Sequence, residues 1–341
     1  MSDSYNGGER FKRVDPYRIL VTGGLGYIGS HLCVGLINSG YEVFVYDNLS
    51  NSDISTADAI GEITGKVPTV TIGDIRETEK LADTLVEYEI DVVIHLAALK
   101  SIPESFKNRL EYFDVNINGT ISVLKAMKEV PIKKIIYSST ASVYGDGCDE
   151  PLKEGYEPKP TNPYSYTKTV GEDALVAVCA SERGWMTAVL RYFNPVGSHP
   201  SGKLNDNSEG LVPNIVRVAK GELESLTVHG GNYNTYNGTA IRDYIDISDV
   251  VDGHLAVLEM VLNTRGHVTY NIGADVGYTV LDVIRTFEWI HGVKIPYTIG
   301  DRRPGDVAVS IADIERITTD LEWRPQGCLR SAIRTVWNKK E

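Results

Sequence analysis

The chain has 341 residues, 42% hydrophobic and 23% charged, a balance that suits two packed cores and excludes a disordered polymer. A formal net charge of −12 argues against unspecific nucleic-acid binding or a basic membrane patch. No apolar run reaches the roughly 18 residues that a membrane helix needs, and the polar stretch 1–16 reads as a flexible extension rather than a signal peptide.

The first strong signal along the chain is Arg18–Ser30, RILVTGGLGYIGS. Ile19–Val21 reads as a buried parallel strand, and Ser30–Asn38 as a helix that stops at Gly40. Between them Gly23, Gly26 and Gly29 are spaced G-x-x-G-x-x-G. Glycines let bare backbone approach a pyrophosphate, and the helix start points N–H groups at its charge. A second strand, Tyr41–Tyr46, ends in Asp47, an acid placed to accept hydrogen bonds from both ribose hydroxyls. Asp47 would repel a 2′-phosphate and nothing in Asn48–Ser55 is basic, so NAD is favoured over NADP.

The alternation continues. Val67–Ile72 is a strand ending at Asp74, Glu77–Glu87 a helix, and Asp91–Leu96 a strand followed by the small pair Ala97-Ala98. Leu110–Glu129 reads as helical, Lys133–Ser139 as the fifth strand, Pro163–Glu182 as a helix and Met186–Tyr192 as the sixth strand. This predicts an α/β fold, a doubly wound parallel Rossmann sheet over 17–193. From Asn194 prolines and glycines cluster, which predicts a smaller substrate domain over 194–341. Helices Ser248–Leu262 and Val280–His291 belong to it or bridge back. Cys33, Cys148, Cys179 and Cys328 form no C-x-x-C pair, and the seven histidines no H-x-x-x-H pair. Reduced, cytoplasmic thiols and no metal site are expected.

Ser138-Ser139-Thr140 ends the fifth strand, and Tyr164-Ser-Tyr-Thr-Lys168 opens the next helix. Positions i and i+4 share a helix face, so Tyr164 and Lys168 point the same way. A phenol has a pKa near 10. A neighbouring ammonium and a positive nicotinamide favour the phenolate and would pull that value down. Thr140 can relay the proton between substrate and Tyr164. Tyr166 is a rival, but its i+4 position is Val170.

TGGLGYIG, DNLSNS (47–52), GDIR (73–76), VIHLAALKSIPES (93–105), SSTASVYGD (138–146), NPYSYTK (162–168), LRYFNPVGSHPSG (190–202), IRDYIDISDVVDGH (241–254) and RRPGD (302–306) carry a wider likeness. From about Tyr17 to Trp337 the chain resembles the extended short-chain dehydrogenase/reductase family, and within it the UDP-galactose (UDP-glucose) 4-epimerases. The resemblance implies NAD contacts at Gly23, Gly26, Tyr27, Ile28, Gly29, Asp47, Asn48, Leu49, Asn51, Ser52, Asp74, Ile75, Leu96, Ala97, Ala98, Lys100, Asn116, Ser138, Tyr164, Lys168, Tyr192 and Phe193. It implies catalysis by Thr140, Tyr164 and Lys168. It implies UDP-sugar contacts at Lys100, Thr140, Tyr164, Asn194, Leu211, Thr227, Val228, His229, Arg242, Tyr244, Arg303, Asp306 and Ser310. Arg242 and Arg303 are also forked donors that suit a diphosphate. His229 stands where the family has an aromatic residue beside uracil, and Gly210 stands near the place of a sugar-contacting Asn. Ser310 occupies a pocket wall where a small residue goes with N-acetylated sugars. The resemblance further implies a homodimer paired through helices near Leu110–Lys128 and Pro163–Glu182. Dehydratases and decarboxylases of the family carry an acid after the hydroxyl cluster; here Ala141-Ser142 follows, which disfavours both. A non-catalytic nucleotide sensor would have lost Tyr164 or Lys168, and both are present.

Overall fold

A computed structural model describes residues 15–146, 151–206 and 208–337. The extension expected over 1–16 falls outside these, apart from its last two residues, and so does Cys148. The first half runs β1 (Arg18–Thr22), α1 (Tyr27–Asn38), β2 (Glu42–Asp47), α2 (Ser55–Thr64), β3 (Thr69–Ile72), α3 (Thr78–Glu87), β4 (Val92–His95), α4 (Ile102–Lys107) and α5 (Arg109–Phe113). A π-helical turn, Asp114–Asn118, leads into α6 (Gly119–Glu129), β5 (Lys134–Thr140), α7 (Pro163–Ser181) and β6 (Met186–Tyr192). The second half runs β7 (Asn194–Val196), α8 (Leu211–Ala219), β8 (Leu226–His229), β9 (Ile241–Asp246), α9 (Ile247–Asn263), β10 (Gly266–Ile272) and β11 (Gly277–Thr279). It ends with α10 (Val280–His291), β12 (Tyr297–Gly300), β13 (Val309–Ser310), α11 (Glu315–Leu321) and α12 (Leu329–Thr335).

Seven parallel strands form the main sheet in the order β10-β6-β5-β4-β1-β2-β3. The central strands are apolar on both faces because both are covered. Leu32, Leu36, Val250 and Leu258 from α1 and α9 close one face. Leu81, Leu85, Val123, Met127 and Leu175 from α3, α6 and α7 close the other. Strand order reverses between β1 and β4, which opens a crevice at their carboxyl ends.

Two features depart from the sequence reading. Beyond Asn194 the chain returns to this sheet: β10 pairs with β6 as an unexpected seventh strand, while α9, expected either to stay in the second domain or to bridge back, packs on α1. The helix expected over Leu110–Glu129 is interrupted by the π-helical turn, which turns Asn116 inward. Among the described residues a third core gathers α8, α10 and α12 around β8 and β9. Asp243 in β9 joins this layer to the main sheet. Its Oδ1 accepts from the Ala274 N–H at 2.8 Å, and its Oδ2 from those of Asp275 and Ala312 at 3.0 and 3.2 Å. Loops of this second layer therefore sit over the sheet's carboxyl edge.

Candidate active site

At the crevice, Gly23 has φ +68, and a Cβ there would lie 2.8 Å from the Ala97 nitrogen. A Cβ on Gly29 would lie 2.2 Å from the Gly23 carbonyl oxygen. Only glycine fits either place. Gly26 caps α1 with extended backbone and no side-chain acceptor, so the first N–H groups at Tyr27, Ile28 and Gly29 have no intrahelical or side-chain cap. This bare, donor-rich cradle fits a pyrophosphate.

Asp47 ends β2 buried. Its Oδ2 accepts from Leu25 N–H at 3.1 Å, and its Oδ1 from Leu49 N–H and the Ser52 hydroxyl, each at 2.9 Å. Two carboxylate oxygens retain acceptor capacity beyond those three bonds. Asn48 and Asn51 are exposed beside it. Asn48 donates to Asp74 at 3.1 Å. Hydrogen bonds from Arg76 hold the Asp74 carboxyl down to about 2. Arg76 is the nearby base that the sequence reading did not weigh. It is already engaged by Asp74, Glu111 and Asp114. The Ile75 side chain is buried in the core beneath Gly119.

The floor follows β4. Leu96, Ala97 and Ala98 are half-buried and Lys100 is exposed at the rim. Asn116 reaches across from the π-helical turn, accepting from Leu99 N–H and donating to the Leu99 carbonyl and the Thr167 hydroxyl, each at 2.9 Å. A π-turn aims a side chain in a way that a regular helix would not.

α7 begins at Pro163, with Asn162 as its cap accepting from Ser165 N–H at 2.8 Å. This fixes Tyr164 in the first turn. Lys168, one turn on, is buried and donates Nζ to the Ser138 carbonyl at 2.7 Å. Burial pulls the Lys168 ammonium down to about 7, opposed by Glu172. Burial also pushes the Tyr164 phenol up to about 12, opposed by the Thr140 hydroxyl. The shift expected for Tyr164 thus runs the other way within the protein alone, because desolvation outweighs the hydrogen bond from Thr140. Tyr166 is half-exposed and its ring packs on Phe113 at 5.8 Å, away from the cleft. The Tyr192 hydroxyl pairs with His254 Nε2 at 2.7 Å, and Phe193 is buried beside Ala312.

Among the residues expected to meet a UDP-sugar, Asn194 donates to the Asp243 carbonyl at 2.9 Å. Arg242 donates to Asp306 at 3.3 Å, and the Arg303 carbonyl accepts from Asp306 N–H at 3.1 Å. Ser310 lies beside Arg242 in the β13–β9 register and is buried. Tyr27 reaches over from α1 to the Gly197 carbonyl at 2.8 Å. Leu211 begins α8 behind Gly210. His229 is half-buried, near the Asp301 carbonyl at 3.3 Å, and Thr227 is exposed. Val228 and Tyr244 point into the third core, so only their backbone or ring edge can meet a ligand. The sequence reading passed over Glu172 and Arg191; the i+4 series Tyr164, Lys168, Glu172 was the available signal.

This geometry has close relatives. Residues 19–273 match the family described as NAD dependent epimerase/dehydratase. The UDP-glucose 4-epimerase of Bacillus subtilis (strain 168) is 43% identical over 323 residues, covering 94% of this chain and 95% of that one. The UDP-glucose 4-epimerase of Stenotrophomonas maltophila, solved with NAD and formylated UDP-arabinopyranose, superposes with TM-score 0.92 at 41% identity, covering 94% and 97%. That of Bifidobacterium longum, solved with NAD+ and UDP, superposes with TM-score 0.90 at 39% identity, covering 94% and 96%. Sequence and backbone agree along nearly the whole length, so the chain belongs to the NAD dependent epimerase/dehydratase family, within its UDP-glucose 4-epimerase branch.

Proposed function

We propose that this protein interconverts UDP-glucose and UDP-galactose by transient oxidation at sugar C4, with a tightly held NAD. The observation that carries this reading is the meeting of Tyr164, Lys168 and Thr140 at the carboxyl edge of β5, the same edge of the sheet on which the uncapped start of α1 lies. NAD, when bound, supplies the hydride acceptor and returns the hydride. Tyr164 takes the O4 proton and gives it back. Lys168 supplies the adjacent cation, and Thr140 relays the proton. Arg242, Arg303 and Asp306 anchor the UDP while the keto sugar turns about its diphosphate linkage, and Asn194 meets the sugar. NAD is favoured over NADP because Asp47 occupies the ribose position and Arg76 is tied to carboxylates. Exposed Leu110, Tyr166 and Val176 on α5 and α7 support the homodimer pairing. Free Cys33, Cys179 and Cys328 support a reducing, cytoplasmic setting.

Purified protein given UDP-galactose is expected to yield UDP-glucose without added cofactor, and denaturation is expected to release NAD. Accumulation of free NADH, or release of NADP instead, would contradict the reading.

We also assign the N-acetyl forms as substrates. Ser310 and Gly210 are both small, and of the two tyrosines that could fill the space Tyr236 is exposed and bonded to Asp282. Tyr233 is buried under Arg302 at 4.1 Å, within reach of the charges of Arg242, Arg303 and Asp306, and is the side chain that competes for that space. Ser310→Tyr is expected to cut UDP-GalNAc turnover by about 10–200-fold while sparing UDP-galactose. A wild type inert to UDP-GalNAc, or a Tyr variant that handles it equally well, would sink the assignment.

A further inference from the structure

Tyr164, Lys168 and Glu172 are spaced four apart on α7 and share one face of that helix. The reaction proposed above uses the first two and leaves the third without a task. Glu172 is buried, and so is the guanidinium it meets. Arg191 of β6 donates Nε to Oε1 at 3.1 Å and Nη2 to Oε2 at 2.6 Å. The hydroxyl of Ser139, on β5, also donates to Oε1. One carboxylate therefore ties α7 to two neighbouring strands. Arg191 is itself fixed: Nη1 donates to the Glu154 carbonyl at 3.3 Å, and its face lies 4.8 Å from the Tyr144 ring.

Burying two ions is costly, and apolar residues of the same volume are often as stable in such a place. The position of the pair suggests what it does. Side chains alternate along a strand, so Ser139 points away from the face that carries Ser138 and Thr140. Holding Ser139 from behind fixes the two residues that flank it. The Ser138 carbonyl receives the Lys168 ammonium at 2.7 Å, and the Thr140 hydroxyl acts on Tyr164. Around that ammonium stand Tyr164 and Glu172 on its own helix, the Tyr137 ring of β5 at 4.9 Å, and His95 of β4. Glu172 is the one carboxylate in this set.

We infer that Glu172 is a positioning residue of this site: clamped by Arg191 and Ser139, it keeps the Ser138 carbonyl, the Thr140 hydroxyl and the Lys168 ammonium in place beside Tyr164. The inference rests on the roles given above to Tyr164 and Lys168.

Glu172→Gln keeps the shape and an acceptor oxygen and deletes the charge. The Lys168 Cε resonance is followed by carbon-13 NMR against pH, assigned by its loss in Lys168→Met. Its midpoint is expected to fall by about one pH unit in Glu172→Gln, because an opposite charge has left. For UDP-galactose, kcat is expected to drop about tenfold with KM nearly unchanged, and the alkaline limb of kcat to move down by the same unit. A folded Glu172→Gln protein in which the Lys168 midpoint and the alkaline limb both stay in place overturns the inference. If that variant does not fold, Ser139→Ala frees the β5 end of the clamp and leaves both charges in place, and a kcat lowered about tenfold with KM nearly unchanged is required of it. A wild type without turnover would refute the proposed function, and the NMR midpoint would then decide the inference alone.

Discussion

Tyr164→Phe is expected to lose about 10²–10⁴ in turnover of UDP-galactose, equivalent to roughly 3–5 kcal/mol of barrier. The phenol is the group at the end of β5 that can take a proton from a sugar hydroxyl, with Lys168 one turn away. The swap deletes one oxygen and keeps the ring, so the fold and the retained dinucleotide should be preserved. The assay is paired with Tyr166→Phe. Tyr166 packs on Phe113 outside the cleft, so its variant should turn over at the wild-type rate. Wild-type turnover by Tyr164→Phe together with loss in Tyr166→Phe would reverse the assignment.

Gly29→Ala is expected to strip the protein of its dinucleotide and lower its melting temperature. Two terms oppose each other here. Replacing glycine by alanine inside a helix normally gains about 1 kcal/mol. The new Cβ would lie 2.2 Å from the Gly23 carbonyl and 2.7 Å from the Gly24 Cα, both backbone atoms that cannot swing aside. Overpacking of that kind costs about 1–3 kcal/mol or more, and it displaces the turn that presents the N–H groups of α1. Steric cost wins. Gly155→Ala is the control, since a Cβ there meets nothing within 4 Å. Released NAD per chain after denaturation and a thermal melt read both effects. Full retention of NAD with an unchanged melt in Gly29→Ala would show that the glycine is not required for the cradle.

The strands and helices that build the sheet follow from local pattern. Ile19–Val21, Ile135–Tyr137 and Ala188–Leu190 are continuous apolar runs because helices cover both faces of a parallel sheet. The glycine turn was legible for the same reason: its requirement is local, set by φ and by the approach of β4 at Ala97. Choosing Tyr164 over Tyr166 was also a local matter, because i+4 spacing alone puts Lys168 on the face of one and not the other.

What the sequence by itself determined, then, was the period of each segment and the residues that each turn presents. The tertiary structure decided everything that depends on segments far apart in the chain. Gly266–Ile272 joins the main sheet because the edge of β6 needs a partner, a fact carried by no local pattern. Arg76 is unavailable to a 2′-phosphate because folding brings it to Asp114, 38 residues away. Tyr164 is raised rather than lowered because burial is a property of the packed molecule, not of neighbours in sequence. Glu172 acquired a role only when β5 and β6 delivered Ser139 and Arg191 to it, since the energy of a buried charge is set by the partners that surround it in space.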